Sequence, residues 1–412
     1  MSVRILLVGE VLTLTHMVRP AVFAKALHEA GYEAILAFDG RYRDLLGPVP
    51  YRTIPLKSAV PAQTSAARIK AGEPIFDAEA LDYCVREDLR MLRMLQPDLV
   101  VGDMRQSLAV SARIAGVPFV NIINAHWSPY AREDFTPPVG LAHEIFGYDL
   151  INSAYKLLFP FGSAIHTFPM NVVRMKYGLR PVEPSIKVMY CEADYTAFAD
   201  IPEITPTIDA PDTHVYLGPV LWSPSVPEPE WWNDLPSDKP IVYVNLGSSG
   251  EPRLLQDVLT ALAPLPVTVM AATTKASKLT NVPENVYLAD FIAGDEAVRR
   301  ADFVIGNGGA SIAYQALAAG KPSIGLTSNL DQVFFSRIIE RTGSGTAIHE
   351  SRVDAATIRN RAVRMLDDRS YRDKAEELAS LIATYDAPTR FLALVERILS
   401  RGQGASRALA KR

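Results

Sequence analysis

The sequence is poor in metal-binding and membrane-spanning features. Only two cysteines, Cys84 and Cys191, occur in 412 residues, too far apart in the chain to indicate a disulfide framework or a thiolate metal site. No Cys/His cluster has zinc-ligand spacing, and no Asp-x-Asp metal motif occurs. The apolar run at residues 5–9 is too short for a signal peptide, and no run reaches the roughly 20 residues that span a bilayer. We therefore expect a cytoplasmic protein with two buried structural thiols and no bound metal ion.

The charge of the chain argues against a nucleic-acid partner. The formal net charge is -4, and no long basic stripe is interleaved with aromatic residues. Such a surface has no general attraction for a phosphate backbone. The chain is also 48% hydrophobic and long enough for two compact domains, each with its own core. We predict a globular protein that binds no nucleic acid.

Short apolar runs alternate with helical patterns along the whole chain. Buried parallel strands typically have this continuous apolar character. The runs lie at residues 3–9, 32–38, 97–103 and 117–123 in the first half, and at 240–247, 266–272, 301–307 and 321–327 in the second. The pattern predicts an α/β protein with two doubly wound, Rossmann-like domains.

A proline-dense segment separates the two halves. It has no apolar period, and we interpret its Trp231 and Trp232 as anchors onto a domain surface. The predicted boundaries are an N-terminal domain at 1–218, a linker at 219–240, a C-terminal domain at 241–385, and a last helix with a basic tail at 386–412. Residues 124–160 are rich in proline, histidine and aromatics and are predicted to be irregular.

A glycine turn follows one strand of the second half. Residues 305–311, Ile-Gly-Asn-Gly-Gly-Ala-Ser, lead from an apolar run into an Ala-rich helical pattern. A helix that starts after such a turn presents unpaired N–H groups, which suit a phosphate. By itself, the turn would equally suit close packing of strand and helix. Polar loops with Ser248 and Asp331 follow two further strands, so we expect all three loops to meet at one ligand crevice.

The order of these elements resembles the UDP-glycosyltransferase superfamily of two-domain GT-B enzymes. The similarity covers most of the chain and is most specific over residues 285–345, which contain a Gly-Gly turn, a Gly-x-Pro strand and an Asp-Gln pair. It implies two domains that face a cleft, with the donor site in the C-terminal domain and the last helix crossing back to the N-terminal domain. It also implies a UDP- or dTDP-sugar as co-substrate, without a further cofactor.

The resemblance implies a set of donor contacts. Glycine-turn N–H groups would reach the diphosphate, Phe291 and the Ile292 backbone would hold the base, and Asp331 with Gln332 would bind sugar hydroxyls. A carboxylate accepts O–H bonds and an amide both donates and accepts, which suits a polyol. The expected donor-binding residues are Ser248, Ser249, Phe291, Ile292, Asn307, Gly308, Gly309, Ala310, Ser311, Gln315, Asn329, Asp331 and Gln332.

Three positions depart from the family pattern. Asn307 replaces the usual His, Ile312 stands where Ser or Thr is usual, and Gln315 replaces the Glu that holds the ribose hydroxyls. A neutral amide makes weaker hydrogen bonds than a carboxylate. The nucleotide therefore stays open between UDP and dTDP, which lacks the ribose 2′-hydroxyl.

Two residues of the first half match the catalytic pair of the family. His16 lies in a segment similar to the family's Gly-His-x-x-Pro motif, and Asp103 ends the strand at 97–103. An imidazole can take the acceptor proton, and a carboxylate can hold its tautomer. Capping of the following helix is the alternative role for Asp103. The resemblance implies inverting, metal-independent transfer of a hexose to a hydroxyl group.

The acceptor is expected to bind in the N-terminal domain. The candidate contacts are His126, Trp127, Tyr130 and Phe146, whose character suits a natural-product, aromatic or lipid acceptor. Packing of these side chains onto their own core is an equal alternative. Two other functions stay open, namely a nucleotide-sugar epimerase on the same fold and a non-catalytic homologue that acts as partner to another transferase.

Overall fold

The fold consists of two parallel sheets with helices packed on their faces. A computed structural model describes residues 2–10, 12–132, 148–236, 238–248, 250–251, 253–274 and 279–409. The strands in these residues are β1 Arg4–Gly9, β2 Glu33–Phe38, β3 Arg52–Pro55, β4 Leu99–Asp103, β5 Phe119–Ile123, β6 Tyr195–Phe198, β7 His214–Tyr216, β8 Ile241–Asn245, β9 Thr268–Ala272, β10 Val286–Ala289, β11 Phe303–Gly306, β12 Ser323–Thr327 and β13 Gly345–His349.

The helices fill the connections between these strands. They are α1 Thr15–Glu29, α2 Arg43–Leu46, α3 Ala62–Ala71, α4 Ala78–Leu95, α5 Leu108–Ala115, α6 Tyr148–Lys176, α7 Ile186–Tyr190, α8 Leu254–Leu262, α9 Gly294–Arg300, α10 Ala310–Ala318, α11 Leu330–Thr342, α12 Ala355–Asp367, α13 Ser370–Ile382 and α14 Ala387–Leu409. Within the described ranges, no helix combines the length and apolarity needed to cross a bilayer.

The N-terminal sheet has the strand order β3-β2-β1-β4-β5-β6-β7, with every pair parallel. Alternate residues of β1 enter opposite cores, Leu6 and Val8 on one face and Ile5 and Leu7 on the other. Burial on both faces explains the continuous apolar runs in the sequence. The chain reverses its direction of winding between β1 and β4, so a crevice opens at their carboxyl ends.

The C-terminal sheet has the order β10-β9-β8-β11-β12-β13 and is also parallel. Its winding reverses between β8 and β11, the strands that precede the Ser248 loop and the glycine turn. The predicted α/β architecture of two doubly wound, Rossmann-like domains is confirmed. The two switch points place the candidate site residues of both domains at the carboxyl edges of their sheets.

The last helix returns to the N-terminal domain, as expected. Phe391 of α14 stacks on Phe23 of α1 with ring centroids 4.3 Å apart, and both rings are fully buried. Leu394, Val395 and Ile398 join the same core cluster. Burial of this apolar face holds the C-terminal end of the chain against the first βα unit.

Each of the eight apolar runs contains a strand, but the prediction for residues 124–160 is partly wrong. Helix α6 begins at Tyr148 and continues through Pro160 and Pro169. The two prolines and the central Gly162 hide its helical character in the sequence. Both cysteines are free and buried, in agreement with structural thiols.

The linker is anchored by its tryptophans, as predicted. The Trp231 Nε1 atom donates to the Leu288 carbonyl at 2.7 Å. Trp232 is 3% exposed within the C-terminal core, and the Arg300 guanidinium lies 4.2 Å from its ring centroid. The linker therefore follows the surface of the C-terminal sheet at this point.

Candidate active site

The first helix and the fourth strand bring His16 and Asp103 together. His16 lies in the first turn of α1, and Asp103 is the last residue of the neighbouring strand β4. The His16 Nδ1 atom is 2.8 Å from Asp103 Oδ1. The carboxylate is fully buried and the imidazole side chain is 19% exposed, which leaves the Nε2 side of the ring for a ligand. Helix α5 starts only at Leu108, so Asp103 does not cap it.

A buried arginine faces the second oxygen of the same carboxylate. Arg19 is 6% exposed, and its Nη1 atom lies 3.7 Å from Asp103 Oδ2. Its Nη2 atom donates to the Asn124 side-chain oxygen. The Asn124 amide in turn donates to both Asp200 oxygens, at 3.1 and 3.0 Å. This buried chain of polar groups restrains Asp103 from the side opposite His16.

The glycine turn is required by the packing of its own surroundings. Gly308 has a φ of +75°, and a Cβ there would overlap Ser336 Oγ and lie 2.8 Å from Thr327 Cγ2. Only glycine tolerates both the positive φ and the lack of space for a Cβ atom. The Gly309 N–H donates to Asn307 Oδ1 at 3.0 Å. The side chain that replaces the family's histidine therefore holds an amide that the resemblance assigned to the diphosphate.

The first turn of α10 faces the loop that carries the imidazole. Ser311 Oγ is 2.9 Å from Thr15 Oγ1, and Ser248 Oγ accepts from the Leu14 N–H at 3.1 Å. The N–H groups of Ala310 and Ser311 belong to the helix start, where no carbonyl of the same helix can accept them. The positive end of α10 thus lies beside the candidate base.

Asp331 projects from α11 across the cleft to the N-terminal domain. Its Oδ1 atom is 2.9 Å from His126 Nε2 and accepts from Trp127 Nε1 at 2.7 Å. The Asp331 side chain is 44% exposed, so only partial burial opposes its ionisation. The hydrogen bonds and charge of His126, the Trp127 bond and the charge of His16 together lower the pKa of Asp331 to about 2. His126 and Trp127, which are expected at the acceptor, also contact the donor domain, because domain packing brings them to α11.

The neighbours of Asp331 shape its loop. Asn329 caps α11, its side chain accepting from the Gln332 N–H at 3.1 Å. Gln332 is 2% exposed, and its Oε1 atom accepts from the N–H and the hydroxyl of Ser328, at 2.8 and 3.0 Å. The Gln332 side chain, which is expected at the sugar hydroxyls, is thus buried and bonded within its own loop.

The expected base and ribose contacts lie at the edge of the linker. The Gln315 amide donates to the Trp222 carbonyl at 3.2 Å and to Ser223 Oγ at 3.3 Å. Its Nε2 group is thus held by the linker, in contrast to the expected ribose contact. Ile292 is 3% exposed and its side chain packs in the core, whereas Phe291 is partly exposed.

The other expected residues lie away from this centre or outside the described residues. The Tyr130 ring packs edge-on against His214 at a centroid distance of 5.3 Å, within the N-terminal domain. Ser249 and Phe146 lie outside the described residues. Over the part of the chain that the structure describes, no three His, Cys, Asp or Glu side chains group so as to hold a metal ion.

The comparisons with known proteins agree on one family. Residues 256–398 match the family model "Erythromycin biosynthesis protein CIII-like, C-terminal domain". A PGL/p-HBAD biosynthesis glycosyltransferase of Mycobacterium tuberculosis (strain H37Ra) is 43% identical over 376 residues, which cover 91% of this chain and 88% of that protein. A PGL/p-HBAD biosynthesis rhamnosyltransferase of Mycobacterium bovis (strain BCG) is 42% identical over 376 residues, covering 91% of this chain and 83% of that protein. The chain belongs to the UDP-glycosyltransferase-like family of GT-B glycosyltransferases.

The fold of this glycosyltransferase also occurs in solved structures. The spinosyn rhamnosyltransferase SpnG aligns with a TM-score of 0.71 and 18% identity, covering 95% of this chain and 100% of that one. The same protein has been solved with spinosyn aglycone and with thymidine diphosphate. At this identity the likeness establishes the shared fold.

The glycosyltransferase contains site residues that motif comparison does not single out. Asp200 is fully buried, and the N–H of the next residue, Ile201, donates to the Tyr314 hydroxyl of α10 in the other domain at 3.4 Å. Burial and the Asp200 charge raise the pKa of Tyr314 well above its ordinary value. The chain of polar groups from Asp103 through Arg19 to Asp200 therefore ends beside the donor domain. In the sequence, the one sign of this chain of polar groups is Arg19, a charged residue among apolar residues at the start of α1, three positions after His16.

A second buried cluster of this glycosyltransferase supports the two segments that carry His16 and Asp103. Arg105 follows β4, is 1% exposed and contacts Glu10, the residue after β1. Its Nη2 atom also lies 2.8 Å from Asp88 Oδ1. Burial raises the pKa of Asp88, against the opposing effect of Arg105. The arginine ties together the two strand ends that precede His16 and contain Asp103.

Proposed function

We propose that this glycosyltransferase moves a hexose or 6-deoxyhexose from a UDP- or dTDP-sugar to an acceptor hydroxyl, with inversion and without a metal ion. The observation that carries the proposal is the His16–Asp103 pair, with its 2.8 Å contact, beside the start of α10. The pair supplies a base, and the helix start supplies a site for an anion. In such a transfer, the base and the anion site lie on opposite sides of the anomeric carbon of the sugar.

His16 acts as general base in this proposal. Its Nδ1–H donates to Asp103, so the unprotonated Nε2 takes the acceptor proton. The acceptor oxygen attacks the anomeric carbon while the bond from that carbon to the diphosphate oxygen breaks. The buried Asp103 stabilises the imidazolium that forms. A single displacement inverts the configuration, so an α-linked donor gives a β-glycoside.

The leaving diphosphate binds at the start of α10. The N–H groups of Ala310 and Ser311 and the exposed Ser248 hydroxyl are the donors available to it. The helix dipole favours the developing negative charge at this end. Preorganised donors of this kind can stabilise a leaving group without a cation, which supports metal-independent transfer.

The donor nucleotide is proposed to be dTDP in preference to UDP. The Gln315 amide is neutral and donates to linker residues Trp222 and Ser223, which favours a nucleotide that needs no strong 2′-hydroxyl contact. The SpnG structure with thymidine diphosphate and the rhamnosyltransferase relative point to the same class. Asp331 would accept a sugar hydroxyl at Oδ2, because its Oδ1 atom is engaged by His126 and Trp127.

The acceptor is proposed to be an aromatic, natural-product or lipid hydroxyl bound by the N-terminal domain. The names of two relatives assign them to PGL/p-HBAD biosynthesis, so acceptors of that biosynthesis are the first to test. The exposed Nε2 side of His16 is where the hydroxyl would have to lie.

The test measures transfer from dTDP- and UDP-sugars with EDTA and with Mg²⁺, and the anomeric configuration of the product by NMR. We expect equal rates in EDTA and an inverted product. His16→Ala should abolish turnover but retain calorimetric nucleotide binding, whereas the control His28→Ala, an exposed histidine of the same helix, should behave as wild type. Full turnover by His16→Ala, a retained configuration or an absolute Mg²⁺ requirement would overturn the proposal. A donor incubated alone should stay unchanged, since conversion would indicate epimerisation.

A further inference from the structure

The outer face of α6 carries a row of exposed apolar side chains. Seven large apolar residues of this helix have between 56% and 72% of their surface exposed: Leu150, Leu157, Leu158, Phe161, Ile165, Phe168 and Met175. At 3.6 residues per turn they fall within an arc of about 100° and form a row about 37 Å long. Elsewhere in the described chain, exposed large apolar residues occur one to an element. We call this row the α6 stripe.

The opposite face of α6 is firmly packed. Met170 and Val173 are each 1% exposed in the main N-terminal core cluster. The helix contacts α4 and α7 through this face. Because α6 already has its own buried side, the α6 stripe is a second apolar face. Contiguous exposed apolar surface of this size marks a docking site for a partner or a lipid surface.

The charge of α6 favours an anionic partner surface. Residues 150–176 contain no Asp or Glu, although the whole chain has 46 acidic residues and a net charge of -4. The same segment contains Lys156, His166, Arg174 and Lys176, and Asp149 precedes it within α6. Arg174 is 6% exposed and pairs with Glu192 at 3.1 Å, whereas Lys156 is exposed and Lys176 is 58% exposed while bridging to Asp82 at 2.8 Å. At 3.6 residues per turn, Lys176 lies at the edge of the α6 stripe and Lys156 lies about 150° from its centre. A helix with Leu and Phe on one face and an exposed lysine at the edge of that face suits the headgroup region of an anionic bilayer.

A second copy of the chain fits the α6 stripe less well. A twofold contact would place the same helix against itself. Neither copy of α6 would then offer a carboxylate within residues 150–176 to pair with the lysines of the other. The like charges would repel instead of fixing the register.

We propose that the α6 stripe docks on a lipid surface that carries anionic headgroups. Burial raises the pKa of Tyr155 in α6 to about 12, and the nearby positive charge of Arg337 in α11 opposes this shift, so the first half of the helix lies beside the donor domain. Docking would bring the cleft to the headgroup plane, where an amphiphilic acceptor is reached without leaving the bilayer. The docking itself does not rest on the proposed sugar transfer.

The test is co-sedimentation of the full chain with phosphatidylcholine vesicles, with and without phosphatidylglycerol. The wild type should sediment with the anionic vesicles, and salt should weaken this binding. The variant Phe161→Ser with Phe168→Ser should lower the partition coefficient at least about tenfold, since insertion of a Phe side chain is worth about that factor or more. Lys176→Gln should weaken binding to the anionic vesicles only, by roughly fivefold.

A matched control replaces two exposed apolar residues away from α6. Met94 and Ile208 are 60% and 54% exposed, and Met94→Ser with Ile208→Ser should sediment as the wild type does. Thermal unfolding and nucleotide binding of each variant establish that the fold is intact. The proposal is overturned if the wild type stays in the supernatant with both vesicles, or if the double Phe variant sediments equally. It is also overturned if the wild type is a dimer that the Phe variant converts to monomers without vesicle binding. None of these readouts requires sugar transfer.

Discussion

Replacement of Asp103 by Asn tests the proposed catalytic pair with the smallest change of shape. The carboxylate is fully buried and receives His16 Nδ1 at 2.8 Å, with Arg19 at 3.7 Å on its other oxygen. An amide of the same size keeps the packing but removes the charge that stabilises the imidazolium. If the NH₂ group of the new Asn faces His16, it donates to Nδ1. The imidazole then carries its own proton on Nε2, so this nitrogen can no longer accept the proton of the acceptor hydroxyl.

The expected loss is at least tenfold in kcat. A hydrogen bond to a charged group contributes about 1.5–3 kcal/mol, which corresponds to a decrease of roughly 10- to 150-fold. The wrong tautomer increases the loss, toward the factor of about 10⁴ that the same change causes in a Ser-His-Asp triad. Nucleotide affinity should change little, because Asp103 lies in the other domain from the proposed diphosphate site.

The assay combines initial rates at saturating donor with calorimetric nucleotide binding. The control is Asp194→Asn, which alters a carboxylate that accepts from the Phe119 N–H at 2.9 Å, at the amino end of β6. This variant should keep the kcat of the wild type. A kcat for Asp103→Asn within twofold of the wild type would refute the reasoning. An equal fall in nucleotide affinity and kcat would also refute it, since the damage would then be general.

Three further perturbations test the packing and the cleft. Gly308→Ala should lower the free energy of unfolding by at least about 2 kcal/mol, because of its +75° φ and the Ser336 contact, and an unchanged urea midpoint would contradict this. Phe391→Ala should lower the free energy of unfolding by about 3–5 kcal/mol in the same assay, since its ring is buried against Phe23. A loss below about 1 kcal/mol would contradict the packing of α14 against this core. The pKa of Asp331 is lowered to about 2 in the folded state, so its stabilising contribution is present above the ordinary value of 3.8 and lost as the pH falls through 2. Asp331→Asn should therefore have a lower melting temperature than the wild type at pH 6 and the same melting temperature near pH 2. Equal melting temperatures at pH 6 would exclude this contribution.

The sheet elements that the sequence misses share one property. Strands β3, β6, β7, β10 and β13 are short, and four of them form sheet edges. Their burial is incomplete in most cases, so they lack the continuous apolar run that identifies a central strand. Their pairing depends on the central strands already being in place, which no local pattern records.

Helix α6 was missed for a different reason. Its apolar residues lie on two faces, one packed and one exposed, so no single amphipathic period is visible in the sequence. Pro160 and Pro169 add local signals for a break. Neighbouring helices hold the segment helical despite them, which is a tertiary effect.

At the cleft, local motifs identified the candidate residues but not the side chains that these residues contact. Asp331 follows β12 at the carboxyl edge of the C-terminal sheet, yet its partners His126 and Trp127 come from the other domain, more than 200 residues away. The Gln315 amide is held by the linker for the same reason. Such pairs depend on how the two sheets face each other, and a strand or turn pattern contains no information about that.

The sequence by itself determined the central strands, the glycine turn and the positions of His16 at the start of the first helix and of Asp103 at the end of β4. These features follow from local sterics and burial, because a buried parallel strand needs an apolar run and a φ of +75° needs glycine. Only the tertiary structure decided that Arg19 faces Asp103, that Asp331 bridges the domains and that α6 exposes an apolar face. The physical reason is that a side chain's partner and exposure are set by the packing of distant segments, which short-range sequence patterns do not encode.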